Sequence, residues 1–168
     1  MDDTAARRGW LELWVVVVIV SLDQATKAIV RATLALHESV EVIPGLLNFT
    51  HIRNTGAAFG LFNAADFPFK TAVISGVAIA GLVGVALYSA SLPRHHVLAR
   101  AGLALVLAGA LGNLIDRLVE GSVVDFVDVY WETHHFGAFN VADSAITIGV
   151  ATMILDMLGA GSRVSETA

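Results

Sequence analysis

Leu13-Trp14-Val15-Val16-Val17-Val18-Ile19-Val20-Ser21-Leu22 runs straight into Asp23-Gln24-Ala25-Thr26-Lys27. The first half of this stretch belongs in lipid. The second half sets a carboxylate and an ammonium one helical turn apart in what is still a helical sequence. A spanning helix needs about 20 mostly apolar residues, and the window from Trp10 to about Leu34 supplies them, with Asp23, Lys27 and Arg31 in its later part. Arg7 and Arg8 precede the apolar run as in a signal peptide. Ser21-Leu22-Asp23 is, however, a poor small-residue cleavage site, so the helix is expected to stay in the protein.

Three further apolar segments follow, from about Phe67 to Ser89, Val97 to Ile115 and Val141 to Leu158, and the prolines (Pro44, Pro68, Pro93) fall at their ends or between them. The composition agrees with an integral membrane protein. Of 168 residues 56% are hydrophobic and 15% charged, and the mean hydropathy is +0.72. A soluble domain has about 25% charged residues and could not hide this apolar excess in one small core. The expected architecture is therefore a single membrane-embedded domain over residues 1–168, with four transmembrane helices. Gly76, Ala80 and Gly84, then Ala104, Ala108 and Gly112, then Ala145 and Gly149 repeat small residues four apart. This spacing lets helices approach closely in lipid and suggests a compact bundle. Cysteine is absent, which excludes disulfides, thiolate chemistry and sulfur-ligated zinc. A net charge of −5 with no basic stripe argues against a nucleic-acid partner.

Four crossings put the two long connections, about 35–66 and 117–140, on one side and both termini on the other. Lys and Arg divide equally. Arg7, Arg8, Arg94, Arg100 and Arg163 lie on the terminal side, and Lys27, Arg31, Arg53, Lys70 and Arg117 on the loop side. Lys27 can pair with Asp23, and Arg117 follows Asp116. Discounting those two leaves the termini cytoplasmic by the positive-inside rule. Within the first connection, Ser39–Ile43 and Leu47–Ile52 alternate on either side of Pro44-Gly45, which reads as a short hairpin.

Ionisable and amide residues at membrane depth are the informative ones. Asp23, Lys27, Asn113, Asp116, Arg117, Asp125, Asp128, Asn140 and Asp143 all fall toward the loop side. Each has a plainer reading. Asp23 and Lys27 are spaced as a helical ion pair, Asp116-Arg117 as an interfacial pair closing a helix, and Asn140 with Asp143 as a capping box. Asp125 and Asp128 read as loop acids, although Val123, Val124, Phe126 and Val127 crowd Asp125. No Gly-x-Ser-x-Gly or His-Glu-x-x-His occurs, and the pairs His95-His96 and His134-His135 diverge on any regular backbone. Carboxylates remain, above all Asp125 and Asp143. Two close carboxyls share a proton, so one can take a proton from water while the other polarises a carbonyl, and peptide hydrolysis needs no metal or cofactor. Asp128 stands three residues from Asp125. The alternation Val123, Asp125, Val127, Val129 suggests an extended stretch, in which only one of the two acids faces Asp143. A proton- or ion-coupled transporter is the competing class, but a relay spreads its charges through the membrane, and these bunch at one end.

The ordered motifs resemble those of the bacterial prolipoprotein signal peptidases, the lipoprotein or type II signal peptidase family. They are Leu22-Asp23-Gln24-Ala25-Thr26-Lys27, Arg53-Asn54-Thr55-Gly56-Ala57-Ala58-Phe59-Gly60, Gly112-Asn113-Leu114-Ile115-Asp116-Arg117, Val123-Val124-Asp125-Phe126 and Phe139-Asn140-Val141-Ala142-Asp143-Ser144. The resemblance implies an α-helical integral membrane protein with a small extracytoplasmic β-cradle. It also implies an aspartyl endopeptidase of the bacterial cytoplasmic (inner) membrane that cuts just before a diacylglyceryl-modified cysteine. By motif position Asp125 and Asp143 would be catalytic. Asn54, Asn113, Arg117 and Asn140 would hold the substrate, and Asp23, Lys27, Gly56 and Asp116 would be architectural. The expected partners are a diacylglyceryl-prolipoprotein and membrane lipid. No cofactor, metal or nucleic acid is expected, the protein is expected to be a monomer, and the active site should lie near the outer face.

Overall fold

The structure is a computed structural model of the chain, and it describes residues 3–56, 67–93 and 95–165. Ala57-Ala58-Phe59-Gly60, the end of the second motif, lies outside the described residues. Helix α1 (Asp3–Thr33) leads into a hairpin of β1 (Ser39–Ile43) and β2 (Leu47–Asn54). Helices α2 (Lys70–Ser91) and α3 (Val97–Glu120) follow, then strands β3 (Val123–Trp131) and β4 (His134–His135), and finally α4 (Val141–Ser165). All four helices contain stretches long and apolar enough to cross a membrane: Trp10–Thr33, Lys70–Ser91, Val97–Glu120 and Val141–Gly159.

Helix α3 is the centre, packed against each of the other three, and small residues make this possible. A Cβ on Gly102 would lie 2.6 Å from the Gly149 carbonyl oxygen, and one on Gly149 would lie 2.5 Å from that of Gly102. A Cβ on Gly109 would meet the Ala142 carbonyl oxygen. The α3–α4 contact is thus backbone against backbone, the close approach that small residues permit in lipid. Helix α2 carries the same spacing without the same use. Cβ atoms on Gly76, Gly81 or Gly84 would meet nothing within 4 Å, and Ser75 is its one buried residue. The spacing therefore marks packing in α3 and α4, and in α2 it does not.

At the end of the bundle near the α2–α3 link, Arg100 ties three helices together. Its guanidinium donates to Glu12 of α1 at 2.6 and 2.7 Å, and to the Ser89 and Leu92 carbonyls at the end of α2 at 3.1 and 3.0 Å. At the other end, α3 does not stop near Ile115. Asp116 and Arg117 turn inward instead of ending it. The helix closes at Gly121, whose φ of 73° is the left-handed conformation glycine accepts most cheaply at a C-terminus.

The sheet has the antiparallel order β1-β2-β3-β4. The hairpin turn follows Pro44, with Gly45 at φ 75°. The stretch 117–140 is the last turn of α3 followed by a second hairpin, turned at Glu132 (φ 55°). Strand β3 pairs with β2 so that Asp125 stands opposite Ile52 and Val123 opposite Asn54. Val124 and Phe126 bury themselves against Val30, Leu34 and Val141. Each buried side chain of this size contributes roughly 1.5–3 kcal/mol, and together they seat the sheet on α1 and α4. The chain then returns beside β3. Phe139 exchanges main-chain hydrogen bonds with Val127 at 2.8 and 3.0 Å, which delivers Asn140 next to Asp125.

Candidate active site

Asp125 and Asp143 come from different elements, β3 and the first turn of α4, and Asn140 joins them. Asn140 precedes α4 and caps it. Its Oδ1 accepts from the Asp143 main-chain N–H at 2.9 Å, while its own main-chain N–H donates to Asp143 Oδ2 at 3.3 Å. This is a reciprocal capping box. The Asn140 side-chain NH2 then donates to Asp125 Oδ1 at 2.7 Å. The capping and site readings of this asparagine are therefore both true.

Three asparagine amides serve the two carboxylates, and each is oriented by a group that can only donate. Gly56 N–H occupies Asn54 Oδ1 at 2.9 Å, so the Asn54 NH2 faces Asp125 Oδ2 at 3.0 Å. Asp143 N–H occupies Asn140 Oδ1, so that NH2 faces Asp125. Lys27 Nζ occupies Asn113 Oδ1 at 3.0 Å, so the Asn113 NH2 faces Asp143 Oδ1 at 2.8 Å. A carboxylate accepts and an ammonium or amide N–H donates, which fixes the amide orientations by the bonding network itself.

Behind Asn113 lies a buried ionic cluster. Lys27 Nζ is 2.8 Å from Asp23 and 2.9 Å from Asp116, with the three side chains at 0%, 0% and 1% exposure. Removing one partner from such a cluster leaves an uncompensated buried charge. Asp23 Oδ1 also accepts from the Ala142 N–H at 3.0 Å, capping α4 from across the bundle. Asp116 Oδ2 accepts from the Val124 N–H at 3.3 Å, next to Asp125. Asp23 fits against α3 because position 112 is glycine: a Cβ there would lie 2.6 Å from Asp23 Oδ2. Arg117 does not pair with Asp116. Its guanidinium donates to the Gly56 carbonyl at 3.0 Å and the Asn113 carbonyl at 3.2 Å, and its buried Nε has no partner among the described residues.

The Asp125 carboxyl is pushed up from the usual 3.8 to about 7. Burial is the main cause and the charge of Asp143 the second, opposed by the hydrogen bonds from Asn54 and Asn140. A group so placed holds a proton near neutral pH beside a second carboxylate.

Every residue the sequence singled out for the site thus joins one contiguous network. Asp128 stands apart. Its carboxylate accepts from Asn48 at 3.3 Å and faces His135 Nδ1 at 2.9 Å. Gln24, which the sequence offers only within the motif Leu22–Lys27, also joins this network. Its amide N–H groups lie 3.0 Å from Asp116 Oδ1 and 3.2 Å from both Asp23 Oδ2 and the Gly112 carbonyl. A polar residue beside Asp23, directly after the apolar run Leu13–Leu22, is the available signal. Among the described residues, no three His, Cys, Asp or Glu side chains converge as a metal-ligand set.

Comparison with known proteins identifies the family and the fold. The family described as signal peptidase (SPase) II matches residues 15–159. A lipoprotein signal peptidase of Geobacter metallireducens is 45% identical over 145 residues, covering 86% of this chain and 88% of that protein. One from Geobacter sulfurreducens is 48% identical over 137 residues, covering 82% and 84%. A solved bacterial membrane enzyme superposes with a TM-score of 0.81 at 35% identity, covering 91% of this chain and 90% of the other.

Proposed function

The chain belongs to the signal peptidase II family of bacterial membrane proteases, and from that premise we propose that it is an aspartyl endopeptidase. It removes the signal peptide from diacylglyceryl-modified prolipoproteins, cutting just before the lipid-bearing cysteine. The observation that carries this reading is the pair of carboxylates, Asp125 and Asp143, both donor-lined and joined through Asn140.

In this mechanism Asp125 carries the shared proton and Asp143 is ionised. Water attacks the scissile carbonyl carbon and gives its proton to Asp143, while Asp125 protonates the carbonyl oxygen. The resulting gem-diol collapses. Asp143 passes its proton to the leaving cysteine nitrogen, the C–N bond breaks, and Asp125 recovers a proton from the diol hydroxyl. Each carboxyl ends as it began. The pair lies at the end of the bundle where α3 finishes, α4 begins and the sheet sits. A lipid anchor would hold a scissile bond there, each buried methylene contributing roughly 0.8 kcal/mol.

By the discounted charge count this end faces outward and the termini are cytoplasmic, and we read the enzyme as a monomer. The deciding experiment is cleavage of a diacylglyceryl-modified prolipoprotein by detergent-purified protein, with and without EDTA, and by Asp125→Asn. Metal-independent cleavage lost in Asp125→Asn is expected. Cleavage lost in EDTA and restored by zinc would overturn the carboxylate mechanism, and equal cleavage of unlipidated precursor would overturn the role of the anchor. A reporter fused after Ala168 should score as cytoplasmic.

A further inference from the structure

The three asparagines of the site differ in what orients them. Asn54 and Asn140 are fixed by main-chain N–H groups, those of Gly56 and Asp143. Asn113 is fixed by a side chain. An ammonium has three N–H bonds. Those of Lys27 reach Asp23 Oδ2 at 2.8 Å, Asp116 Oδ2 at 2.9 Å and Asn113 Oδ1 at 3.0 Å. The two carboxylates supply the counter-charge, and the third N–H still needs an acceptor in this buried place. The third goes to a neutral amide on the catalytic side of the cluster. An ammonium cannot accept a hydrogen bond, so it rules out the flipped Asn113 amide and leaves the NH2 aimed at Asp143 Oδ1, 2.8 Å away. Asn140 Nδ2, 3.2 Å from the same Asn113 oxygen, reinforces this orientation.

We propose that Lys27 is a positioning residue for the cleavage reaction: by filling Asn113 Oδ1 it fixes the amide that donates to Asp143, and so holds that carboxylate ready to receive a proton from the attacking water. The proposal rests on Asp125 and Asp143 being the catalytic pair. It assigns Lys27 a task beyond holding α1 against α3. Without Lys27, Asn113 can turn its oxygen toward Asp143, and two facing oxygens tolerate each other only when the carboxyl is protonated and useless as a base. The charged groups around Asp143 are Asp23 and Lys27 from α1, Arg117 from α3 and Asp125 from β3, with Asp116 behind Lys27.

The test compares full-length Lys27→Met and Lys27→Gln with wild type and Asp143→Asn, each purified in detergent and checked by thermal melting. Lys27→Met should lower kcat about 10- to 100-fold, as the loss of an outer-shell orienting group does, with KM little changed and the acid limb of the kcat–pH profile displaced upward. Lys27→Gln keeps an N–H that can reach Asn113 Oδ1 and should recover part of the loss. A folded Lys27→Met with wild-type kcat and pH profile overturns the proposal. So does an equal loss in Met and Gln variants that merely follows their melting temperatures. Lys27→Met leaves Asp23 and Asp116 facing each other in a buried site. Lys27→Met/Asp116→Asn restores the local net charge and should show the same kcat loss. Asn113→Asp keeps a partner for Lys27 but removes the NH2 facing Asp143, and wild-type kcat there overturns the proposal even if no Lys27 variant folds. An active Asp143→Asn would instead break the catalytic-pair reading.

Discussion

Strand β3 carries two buried acids three residues apart, and each anchors a polar network of a different kind. Asp125 and Asp128 are 3% and 8% exposed, and each accepts a hydrogen bond from an asparagine of β2, Asn54 or Asn48. Beyond that they diverge. Asp125 faces inward to Asn140 and a second carboxylate, Asp143. Asp128 faces an imidazole, His135, which is half exposed and stacked on Tyr130 at 5.2 Å. Tyr130 in turn donates to Glu41 at 2.7 Å, so this second network ties β1, β3 and β4 together. One acid is set against a like charge in a sealed place, and the other against a potential counter-charge at an open flank. The second arrangement stabilises a sheet. The first costs stability, as expected of the proposed catalytic pair.

The largest expected contrast is in rate. Asp125→Asn and Asp143→Asn should each lower kcat by about 10⁴-fold, with the double variant little worse because the two act as one unit. Asp128→Asn should stay within about threefold of wild type in the same cleavage assay. A dead Asp128→Asn beside an active Asp125→Asn would reverse the comparison.

The next contrast is in stability, and its sign depends on pH. The folded protein holds the Asp125 proton up to about pH 7, whereas the unfolded chain releases it near the usual 3.8. Between those values the unfolded state binds fewer protons, so stability falls as pH rises through this window. The full cost above pH 7 is at most about 4 kcal/mol. Asp125→Asn removes the charge and should melt above wild type at pH 8 and level with it at pH 4. Part of the gain is lost because its NH2 meets that of Asn54 or Asn140. Asp128→Asn should melt lower than wild type at neutral pH by about 1 kcal/mol, having weakened its bond to His135. A higher melting point for Asp128→Asn would mean that the two networks do not differ in kind.

The smallest effect belongs to His135→Ala. The side chain is half exposed and screened by solvent, so its loss should cost less than about 1 kcal/mol, diminish further in high salt, and leave the cleavage rate unchanged.

The four helices were legible because lipid imposes a length and an apolarity that any window of sequence displays. The first hairpin was legible from Pro44-Gly45 and the alternation around it. The end of α3 was not, because Asp116 and Arg117 look like a polar stop until Lys27 and the Gly56 carbonyl appear beside them. The pairing of β3 with β2 was also hidden. It joins Ile52 to Asp125 across the chain, and no local pattern encodes a partner at that separation. The idleness of the small residues in α2 was hidden for the same reason, since spacing describes one helix and packing requires two. At the site the motifs named the residues, and the alternation through Asp125 favoured it over Asp128. The direction of each asparagine amide became readable only once the donor facing its oxygen was in place.

The division of the site between the two halves of the chain sets the order in which it is completed during synthesis. Asp23, Lys27, Asn54 and Gly56 all precede the link between α2 and α3, and Asn113, Asp116, Arg117, Asp125, Asn140 and Asp143 all follow it. Lys27 and Gly56, which orient Asn113 and Asn54, are therefore made first, whereas Asn140 waits for the Asp143 N–H made last. The two acids come later, and the second of them arrives only with the first turn of the last helix. Asp143 takes its place when α4 seats its glycine against that of α3 and Ala142 docks on Asp23. A nascent chain thus holds no complete pair of carboxylates while its earlier helices are still entering the membrane, and in the proposed mechanism hydrolysis must wait for α4 to dock.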